Sequence, residues 1–431
     1  SLFSGKIFIS CINWHKLQKK KAYKRLMHRL SMHFEKRKLK NGITVLFEKR
    51  DLPLVCYSIS NPFGGAHETS DIKGVAHLFE HLLFIGTKTR THEEISREIE
   101  KRGGILNAFT AQDVTTYWCK LPSEHIDIAM DIIHDILNNP TFDSIKLEKE
   151  KKVVIEEIKM FHDDPERRAY EMIESALYEK PFGEGIIGSA KTVSALTREK
   201  IIEIFNENYA PENYIVTIVG SANLNHICQR LEKDFAPKKK KYEALKIKIK
   251  NEDIVEERQG IVQAQLIVAM HAPQEKKKQY ALEILNTYLA NGMSAKLFLE
   301  IREKYGLAYT VRGSIEQEKN YSYYSIYAGT TKEAIPKVKE LIIQGLKDVE
   351  KMTPQELLES KERLIGLRKV ATEESINTMQ KLIFAEISTG NAEEYYDYEK
   401  ELEKITLGQV KSLSKELLKE HSTAIIVPKN G

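Results

Sequence analysis

The stretch His77-Leu78-Phe79-Glu80-His81 is the most informative part of this chain, because on a helix it would place two histidines on one face. Side chains four positions apart lie one turn above each other, so both imidazoles could reach one metal ion, with the carboxylate of Glu80 beside them. The order His-x-x-Glu-His is the inverse of the zinc-binding motif His-Glu-x-x-His. The stretch therefore predicts a catalytic zinc site.

The residues around this stretch independently predict a helix. No proline or glycine interrupts positions 75–85, and four apolar residues recur at helical spacing on the side away from the histidines: Val75, Leu78, Phe79 and Leu82. Such a helix could pack its apolar side and still offer His77 and His81 to a cleft. Two histidines and a glutamate could equally form a solvated polar face, and the pentapeptide alone leaves both interpretations open.

A third zinc ligand is expected elsewhere in the chain, since catalytic zinc usually takes three protein ligands and leaves one position for water. Residues 144–162 are the best source of this ligand. They predict a long helix that is capped by Asp143 or Ser144 and ends shortly before Pro165.

Four residues of this helix share one stripe: Glu150, Val154, Glu157 and Phe161. Acids on an apolar stripe are unfavourable unless they are paired or bound to metal, whereas Glu156 lies about 100° round the helix with the solvated charges. Glu150 and Glu157 are therefore candidate ligands. The alternative is that both acids form surface ion pairs with the abundant lysines.

Taken together, these segments resemble the pitrilysin family, which includes insulin-degrading enzyme and mitochondrial processing peptidase. The resemblance is carried by the motif at 77–81, the helix sequence at 150–160 and the Asp-Pro pair at 164–165, and it extends from about residue 32 to residue 428. In length the chain is similar to the half-length members, such as the β subunit of the mitochondrial processing peptidase and its prokaryotic relatives.

The resemblance implies one Zn²⁺ per chain, bound by His77, His81 and Glu157, with Glu150 as a supporting carboxylate behind the metal ligands. Zinc would acidify a water molecule and polarise the scissile carbonyl. Glu80 would accept the water proton and later deliver it to the leaving amine.

The same resemblance implies further site residues. Asn107, Ala108 and Phe109 match the family's edge strand, to which a substrate peptide adds as an extra strand. Arg302 and Tyr309 match a catalytic pair from the other kind of domain, in which Tyr309 would stabilise the developing oxyanion and Arg302 would orient the substrate. Without the family, these positions could equally be an ordinary strand and a solvated arginine.

The function that the resemblance implies is a zinc endopeptidase that hydrolyses unfolded peptides inside a closed chamber. Half-length members pair into a four-domain clamshell, so the expected partner is a second copy of the chain or a related chain. One alternative is a processing peptidase that removes basic presequences. Another is a non-catalytic scaffold subunit; a purely structural zinc site would usually have four protein ligands.

The chain organisation predicts an α+β protein built from two homologous α/β domains, each a mostly antiparallel sheet covered by helices, which together form half of a clamshell. Residues 102–109, leading to an aromatic strand, have a counterpart at 304–309, which indicates an internal duplication. The predicted segments are a basic extension at 1–31, a zinc-bearing domain at 32–235, a charged connector at 236–253 and a second domain without the motif at 254–431.

Secondary structure is predicted from hydrophobic periodicity. The alternating Leu245-Lys-Ile-Lys-Ile-Lys250 segment of the connector is expected to form a lysine-protected edge strand. The other predicted strands are 43–47, 55–61, 262–270 and 321–327, and the predicted helices of the second half are 279–290 and 295–304.

Composition bounds the remaining function classes. The 431 residues are 42% hydrophobic and 30% charged, with no apolar run long enough to span a membrane. The net charge of +4 comes from residues 1–31, which contain eight basic and no acidic residues, so no body-wide basic surface for nucleic acid is expected. The four scattered cysteines predict reduced core thiols, and we expect a cytoplasmic protein, although the basic extension also resembles a targeting segment.

Overall fold

A computed structural model describes residues 34–238, 240 and 245–429 of the chain. Over these residues the fold is α+β: two sheets, each covered by helices, follow one another along the chain. The predicted fold class is therefore correct. The basic extension predicted at 1–31 lies outside the described residues.

The first sheet has six strands: β1 (Phe34–Lys38), β2 (Thr44–Lys49), β3 (Leu54–Asn61), β4 (Ile105–Thr110), β5 (Thr115–Pro122) and β6 (Ile215–Gly220). Their order across the sheet is β1-β2-β6-β3-β5-β4, and only β2 and β6 pair in parallel. All residues of β6 are buried, because the strand lies inside the sheet and both faces of the sheet are covered. Strand β4 is left at the edge.

The second sheet has five strands: β7 (Asp253–Arg258), β8 (Ala264–His271), β9 (Ala308–Gln317), β10 (Ser322–Thr330) and β11 (Ser422–Pro428). Their order is β7-β11-β8-β10-β9, and only β7 and β11 pair in parallel. This is the order and direction of the last five strands of the first sheet. The predicted duplication is thus visible in the strand topology, with β9 as the counterpart of β4.

Fourteen α-helices connect these strands within the described residues. Those of the first half are α1 (Val75–Leu82), α2 (His92–Glu100), α3 (Ile126–Asn138), α4 (Ser144–Asp163), α5 (Pro165–Leu177), α6 (Ala190–Ala195), α7 (Arg198–Asn208) and α8 (Leu224–Asp234). Those of the second half are α9 (Lys276–Leu289), α10 (Ile335–Asp348), α11 (Pro354–Ala371), α12 (Ser375–Thr389), α13 (Tyr398–Glu403) and α14 (Leu407–Leu417).

Each half lends one helix to the sheet of the other half. Helix α5, the third after β5, packs on the second sheet, where Ile173 joins a buried cluster with Ile267. Helix α12, the third after β10, packs on the first sheet, where Leu382 joins a buried cluster with Val219. Because each sheet needs a helix from the other half to cover it, the two halves interlock.

One local prediction, for the connector, is wrong. Residues 245–250 form no ladder strand: only an isolated bridge joins Ile249 to Tyr178, and the N–H of Lys250 donates to the carbonyl of Leu177 at 2.8 Å. The alternating apolar residues therefore pack against the end of α5 instead of entering a sheet. The helix predicted at 295–304 is present, with π-helical hydrogen bonding over Phe298–Lys304.

Candidate active site

The motif helix α1 is capped at its N-terminus by a carboxylate from outside the helix. Gly74 precedes the helix in the left-handed conformation (φ 94°) and has no side chain to cap it. Glu68 supplies the missing acceptor, because its carboxylate accepts hydrogen bonds from the N–H of Gly74 at 3.0 Å and from that of Ala76 at 2.7 Å. A negative charge at this end of a helix also interacts favourably with the helix dipole.

Glu68 is fully buried and is neutralised by an equally buried lysine. The Nζ atom of Lys73 lies 3.7 Å from Glu68 and donates to the carbonyl of Gly65 at 2.8 Å. Burial lowers the pKa of Lys73 and raises that of Glu68, and the attraction between the two groups opposes both shifts. A paired charge of this kind is tolerated in a core where an isolated one would not be.

The apolar side of α1 anchors the motif as the periodicity predicts. Its stripe residues are completely buried in the core of the first half: Val75, Leu78, Phe79 and Leu82. The histidines and Glu80 stay partly exposed on the opposite side, where a ligand can reach them.

Helix α4 lies against α1 and has the predicted register. Asp143 caps it by accepting from the N–H of Lys146, and the Nζ of Lys146 donates to the carbonyl of Ile85, just beyond α1, at 2.7 Å. Val154 is buried, whereas Glu156 is exposed and pairs with a lysine of its own helix. The stripe that carries Glu150 and Glu157 therefore faces α1.

His77, His81 and Glu157 converge on one point. Glu157 Oε2 lies 3.4 Å from His81 Nε2 and 3.8 Å from His77 Nε2, and ligand atoms of all three residues lie within 4.8 Å of one another. Among the described residues, no other group of three or more His, Cys, Asp or Glu side chains meets this criterion. The predicted ligands are thus brought together by two helices about 70 residues apart in sequence, and Glu156 is not among them.

Glu150 orients one of the two histidines. Its Oε2 atom lies 3.4 Å from His81 Nδ1, which leaves Nε2 directed at Glu157. Burial disfavours the protonated form of His81, but the hydrogen bond to Glu150 and the charge of Glu157 outweigh it and raise the pKa. His77 has no such partner at Nδ1 among the described residues, and burial together with the nearby His81 lowers its pKa to about 4.

Glu80 is held from the neighbouring strand. Thr110, the last residue of β4, donates its hydroxyl hydrogen to Glu80 Oε2 at 2.7 Å. Burial raises the pKa of Glu80, and the Thr110 hydrogen bond partly offsets that shift. The Glu80 carboxylate therefore lies between its own helix, α1, and the edge strand β4.

The predicted substrate strand, β4, is the edge strand of the first sheet. Asn107 is exposed, Ala108 is buried, and the ring of Phe109 lies 6.1 Å from that of Phe384 on α12. Beside the strand a pocket of about 390 Å³ opens, lined by Phe84, His92, Ser96, Glu100 and Leu106 among others. An extended peptide pairing with β4 would pass this pocket and the side chain of Glu80.

Arg302 and Tyr309 are in contact with each other but not with the histidine site. The Arg302 guanidinium lies 4.6 Å from the ring centre of Tyr309, whose side chain is 73% exposed near the start of the edge strand β9. Within the described residues, no hydrogen bond, ion pair or ring contact joins either residue to His77, His81 or Glu157.

The donor set suits zinc. Two imidazole nitrogens and one carboxylate oxygen are the ligand types and the number that catalytic zinc sites use. Oxygen-rich sites, which favour calcium or magnesium, would contain no pair of imidazoles. The residues of this structure therefore fit a zinc ion with one position left for another ligand.

Comparisons with known proteins show the family of this chain. A model of the insulinase family, peptidase family M16, matches residues 57–190, and one of the peptidase M16 inactive domain matches residues 195–364. An uncharacterised zinc protease of Rickettsia felis is 31% identical over 340 residues, which cover 77% of this chain and 82% of that protein. The chain belongs to peptidase family M16. The predicted resemblance to a half-length pitrilysin-family member is confirmed.

Other relatives of this M16 chain extend over nearly its whole length. An uncharacterised zinc protease of Bacillus subtilis is 28% identical over 397 residues, covering 90% of this chain and 97% of that protein. A crystal structure of a protease from Helicobacter pylori has the same fold, with a TM-score of 0.84 at 22% identity, covering 92% of this chain and 99% of that one. No helix among the described residues is long and apolar enough to cross a membrane.

Sequence reasoning missed three residues that shape the M16 site. Glu68 and Lys73 stabilise the start of α1, and Thr110 holds Glu80, although none was assigned a role from the sequence. One signal for Glu68 was present: a helix that follows Gly74 with no Ser, Thr, Asp or Asn cap needs an acceptor from elsewhere. Nothing local in the sequence connects Thr110 to Glu80.

Proposed function

We propose that the protein is a zinc-dependent endopeptidase that hydrolyses unfolded peptides inside a closed chamber. The observation that carries the proposal is the convergence of His77, His81 and Glu157 beside a fourth polar side chain, Glu80, which is not needed as a ligand. A structural zinc site would have no use for such a free carboxylate, whereas hydrolysis needs a base. The family model and the relatives named zinc proteases support the same class of reaction.

His77, His81 and Glu157 would hold the zinc ion. When bound, zinc supplies Lewis-acid chemistry, which makes water more acidic and polarises a peptide carbonyl. The protein's own groups prepare the ligands: Glu150 holds His81 in the tautomer whose Nε2 is free, and burial keeps His77 neutral near neutral pH.

Glu80 is the proposed general base and acid. It accepts a proton from the attacking water and delivers it to the nitrogen of the scissile bond, so that the leaving group departs as a neutral amine and not as an amide anion. Partial burial suits this role, because it raises the carboxylate pKa toward the working pH and makes the group a better proton acceptor.

The proposed substrate contact is strand addition at β4. Main-chain N–H and C=O groups of Asn107, Ala108 and Phe109 would pair with an extended peptide, which accounts for a requirement that substrates be unfolded. Such pairing depends little on side chains, so selectivity would come from pockets like the one beside Phe84 and Leu106.

We propose further that the active chamber forms between two chains. Tyr309 is exposed and the half-buried Arg302 lies beside it, and within the described part of the chain neither has a hydrogen bond, ion pair or ring contact to the histidine site. A second copy would bring Tyr309 of the partner subunit to the substrate carbonyl, where its hydroxyl stabilises developing negative charge and Arg302 of the partner subunit orients the peptide. A related chain could take the same place.

The experiment that tests the proposed function is cleavage of a mixed library of short peptides, with and without a chelator, together with measurement of bound metal. We expect cleavage at internal bonds, loss of cleavage on chelation, recovery with zinc, and about one zinc per chain. Cleavage restricted to bonds near arginine in a basic presequence would favour the processing-peptidase alternative. A zinc-loaded protein that cleaves nothing would favour a non-catalytic scaffold.

A further inference from the structure

The Glu80 carboxylate has one hydrogen-bond donor among the residues that the structure describes. This donor is the hydroxyl of Thr110, 2.7 Å from Oε2. Glu80 has three rotatable side-chain bonds and lies on the partly exposed side of α1, so without a donor it would sample several rotamers. The bond selects one of them and leaves Oε1 as the free proton acceptor.

Thr110 is itself held rigidly. It ends β4 opposite Thr115, and the turn that follows is closed by the N–H of Ala111 donating to the carbonyl of Val114 at 2.7 Å. The tip of this turn docks on a loop near α1, where the N–H of Gly65 donates to the carbonyl of Ala111 at 3.2 Å. The position of the hydroxyl is therefore defined by backbone hydrogen bonds on both sides.

A close backbone approach makes this docking possible. A Cβ atom on Gly64 would lie 2.1 Å from the carbonyl oxygen of Ala111, which no real contact allows. Glycine at this position lets the loop and the turn at the end of β4 touch. The same loop contains Glu68, the acceptor at the N-terminus of α1, so one loop locates both Thr110 and the helix that carries Glu80.

We propose that Thr110 is a positioning residue for the reaction, which holds the Glu80 carboxylate in the orientation required for proton transfer. This inference rests on the proposed function, since it assigns Thr110 a role through the general base. Thr110 also belongs to the strand proposed to receive the peptide, so the base and the substrate would take their positions from the same four residues, 107–110. The expected signature is a fall in kcat with little change in KM.

The test compares Thr110→Val, which keeps the shape and removes the donor, with Thr110→Ser, which keeps the donor. We expect the valine variant to lose about 10-fold in kcat, with KM within about 2-fold of wild type, and the serine variant to stay within about 3-fold in kcat. Bound zinc should be unchanged in both, because neither touches a ligand.

Thr115→Val is the matched control. Thr115 is the strand partner of Thr110 and donates its hydroxyl to the carbonyl of Phe63 at 2.9 Å, away from Glu80. Its replacement also removes one buried hydrogen bond and should lower the melting temperature, but kcat should remain near wild type. Equal losses of kcat in the two valine variants would show that Thr110 acts only through stability and would overturn the proposal.

A double-mutant cycle separates positioning from other roles. In a Glu80→Gln background, Thr110→Val should cost less than about 3-fold, because no base remains to be oriented. A full additional 10-fold loss would overturn the proposal, as would a rise in KM at unchanged kcat, which would assign Thr110 to peptide binding. An inactive but zinc-loaded wild type would instead be a failure of the proposed function itself.

Discussion

The two halves of this molecule share one arrangement of strands and helices but differ in the side chains on their helices. In each half the third strand of the shared order leads into a helix, α1 after β3 and α9 after β8. Helix α1 presents two histidines and Glu80 to a cleft. Helix α9 contains no histidine; its Asn286 is buried and accepts from the hydroxyl of Tyr324 at 3.2 Å, and its Glu283 accepts from Tyr398.

The second α-helices after β5 and β10, which are α4 and α11, differ in the same way. Counted from their capping residues, the position of Glu157 on α4 corresponds to Leu367 on α11, and that of Glu150 corresponds to Ser360. The hydroxyl of Ser360 donates a hydrogen bond to the carbonyl of Glu356 in its own helix. Each half therefore has a helix at both positions, but only the first half has His77, His81 and Glu157 on them.

Glu157 on α4, the proposed third zinc ligand, has the largest expected effect when it is replaced. We expect Glu157→Gln to lower zinc affinity by more than about 10²-fold and to abolish cleavage. Loss of a metal ligand should lower the affinity more than loss of a residue that only supports a ligand, such as Glu150. Glu156→Gln, one residue away and exposed, should keep both zinc and activity. The measurement is metal content after dialysis; similar zinc loss in both variants would contradict the register of α4.

The two half-buried carboxylates of α1 and α9 provide the next comparison. Both accept a hydroxyl donor, Glu80 from Thr110 and Glu283 from Tyr398. Glu80→Gln should lower kcat by at least about 10²-fold with zinc still bound, because the base is lost and the ligands remain. Glu283→Gln should change kcat by less than about 3-fold, as measured on one peptide substrate, and a comparable loss there would break the functional distinction between the halves.

Dependence of one half on the other can be measured by mixing subunits. Homodimers of Glu80→Gln and of Tyr309→Phe should each be nearly inactive, and Tyr309→Phe should lose about 10²-fold in activity. The control variant Tyr305→Phe should retain activity. If sites are shared between chains, a mixed dimer has one site with both lesions and one with neither, so random pairing should recover about a quarter of wild-type activity. No recovery after proven subunit exchange would place Tyr309 in its own chain's site.

The contact between α5 and the second sheet should make the stability of the protein depend on pH, with a smaller effect than those above. Glu174 on α5 accepts from Tyr323 of the second sheet, and burial together with the charge of Glu316 raises its pKa to about 7. A raised carboxyl pKa means that stability is fully present below the ordinary pKa of about 4.5 and is lost as pH rises to 7.

Replacement by an amide tests this pH effect. The Glu174 side chain is partly exposed, so solvent screening reduces the effect. We expect the free energy of unfolding of Glu174→Gln, relative to that of wild type, to increase by about 1–2 kcal/mol between pH 5 and pH 8. The measurement is denaturant unfolding at both pH values. A difference that does not change with pH would contradict the assignment.

Local sequence patterns predicted the elements that carry the site. The apolar stripe of α1, the Asp143 cap and the stripe of α4 are periodic features within one helix each, so spacing alone indicates which side chains share a face. The stripe set Glu156 aside, and the family resemblance then indicated that Glu157, with Glu150 behind it, completes the metal site. The connector at 245–250 was predicted wrongly because alternation fits a strand and also fits an irregular segment packed on a helix end.

The sequence by itself determined the histidine motif, the helices α1 and α4, the repeated strand order and the charge distribution, because each depends on neighbours in the chain. Only the tertiary structure decided that Thr110 meets Glu80, that Glu68 caps α1 and that α5 and α12 cover each other's sheets. These contacts join segments whose separation in the chain carries no periodic signal. They are selected by how the sheets and helices pack, since a buried donor, charge or apolar face must find a partner wherever packing brings one near.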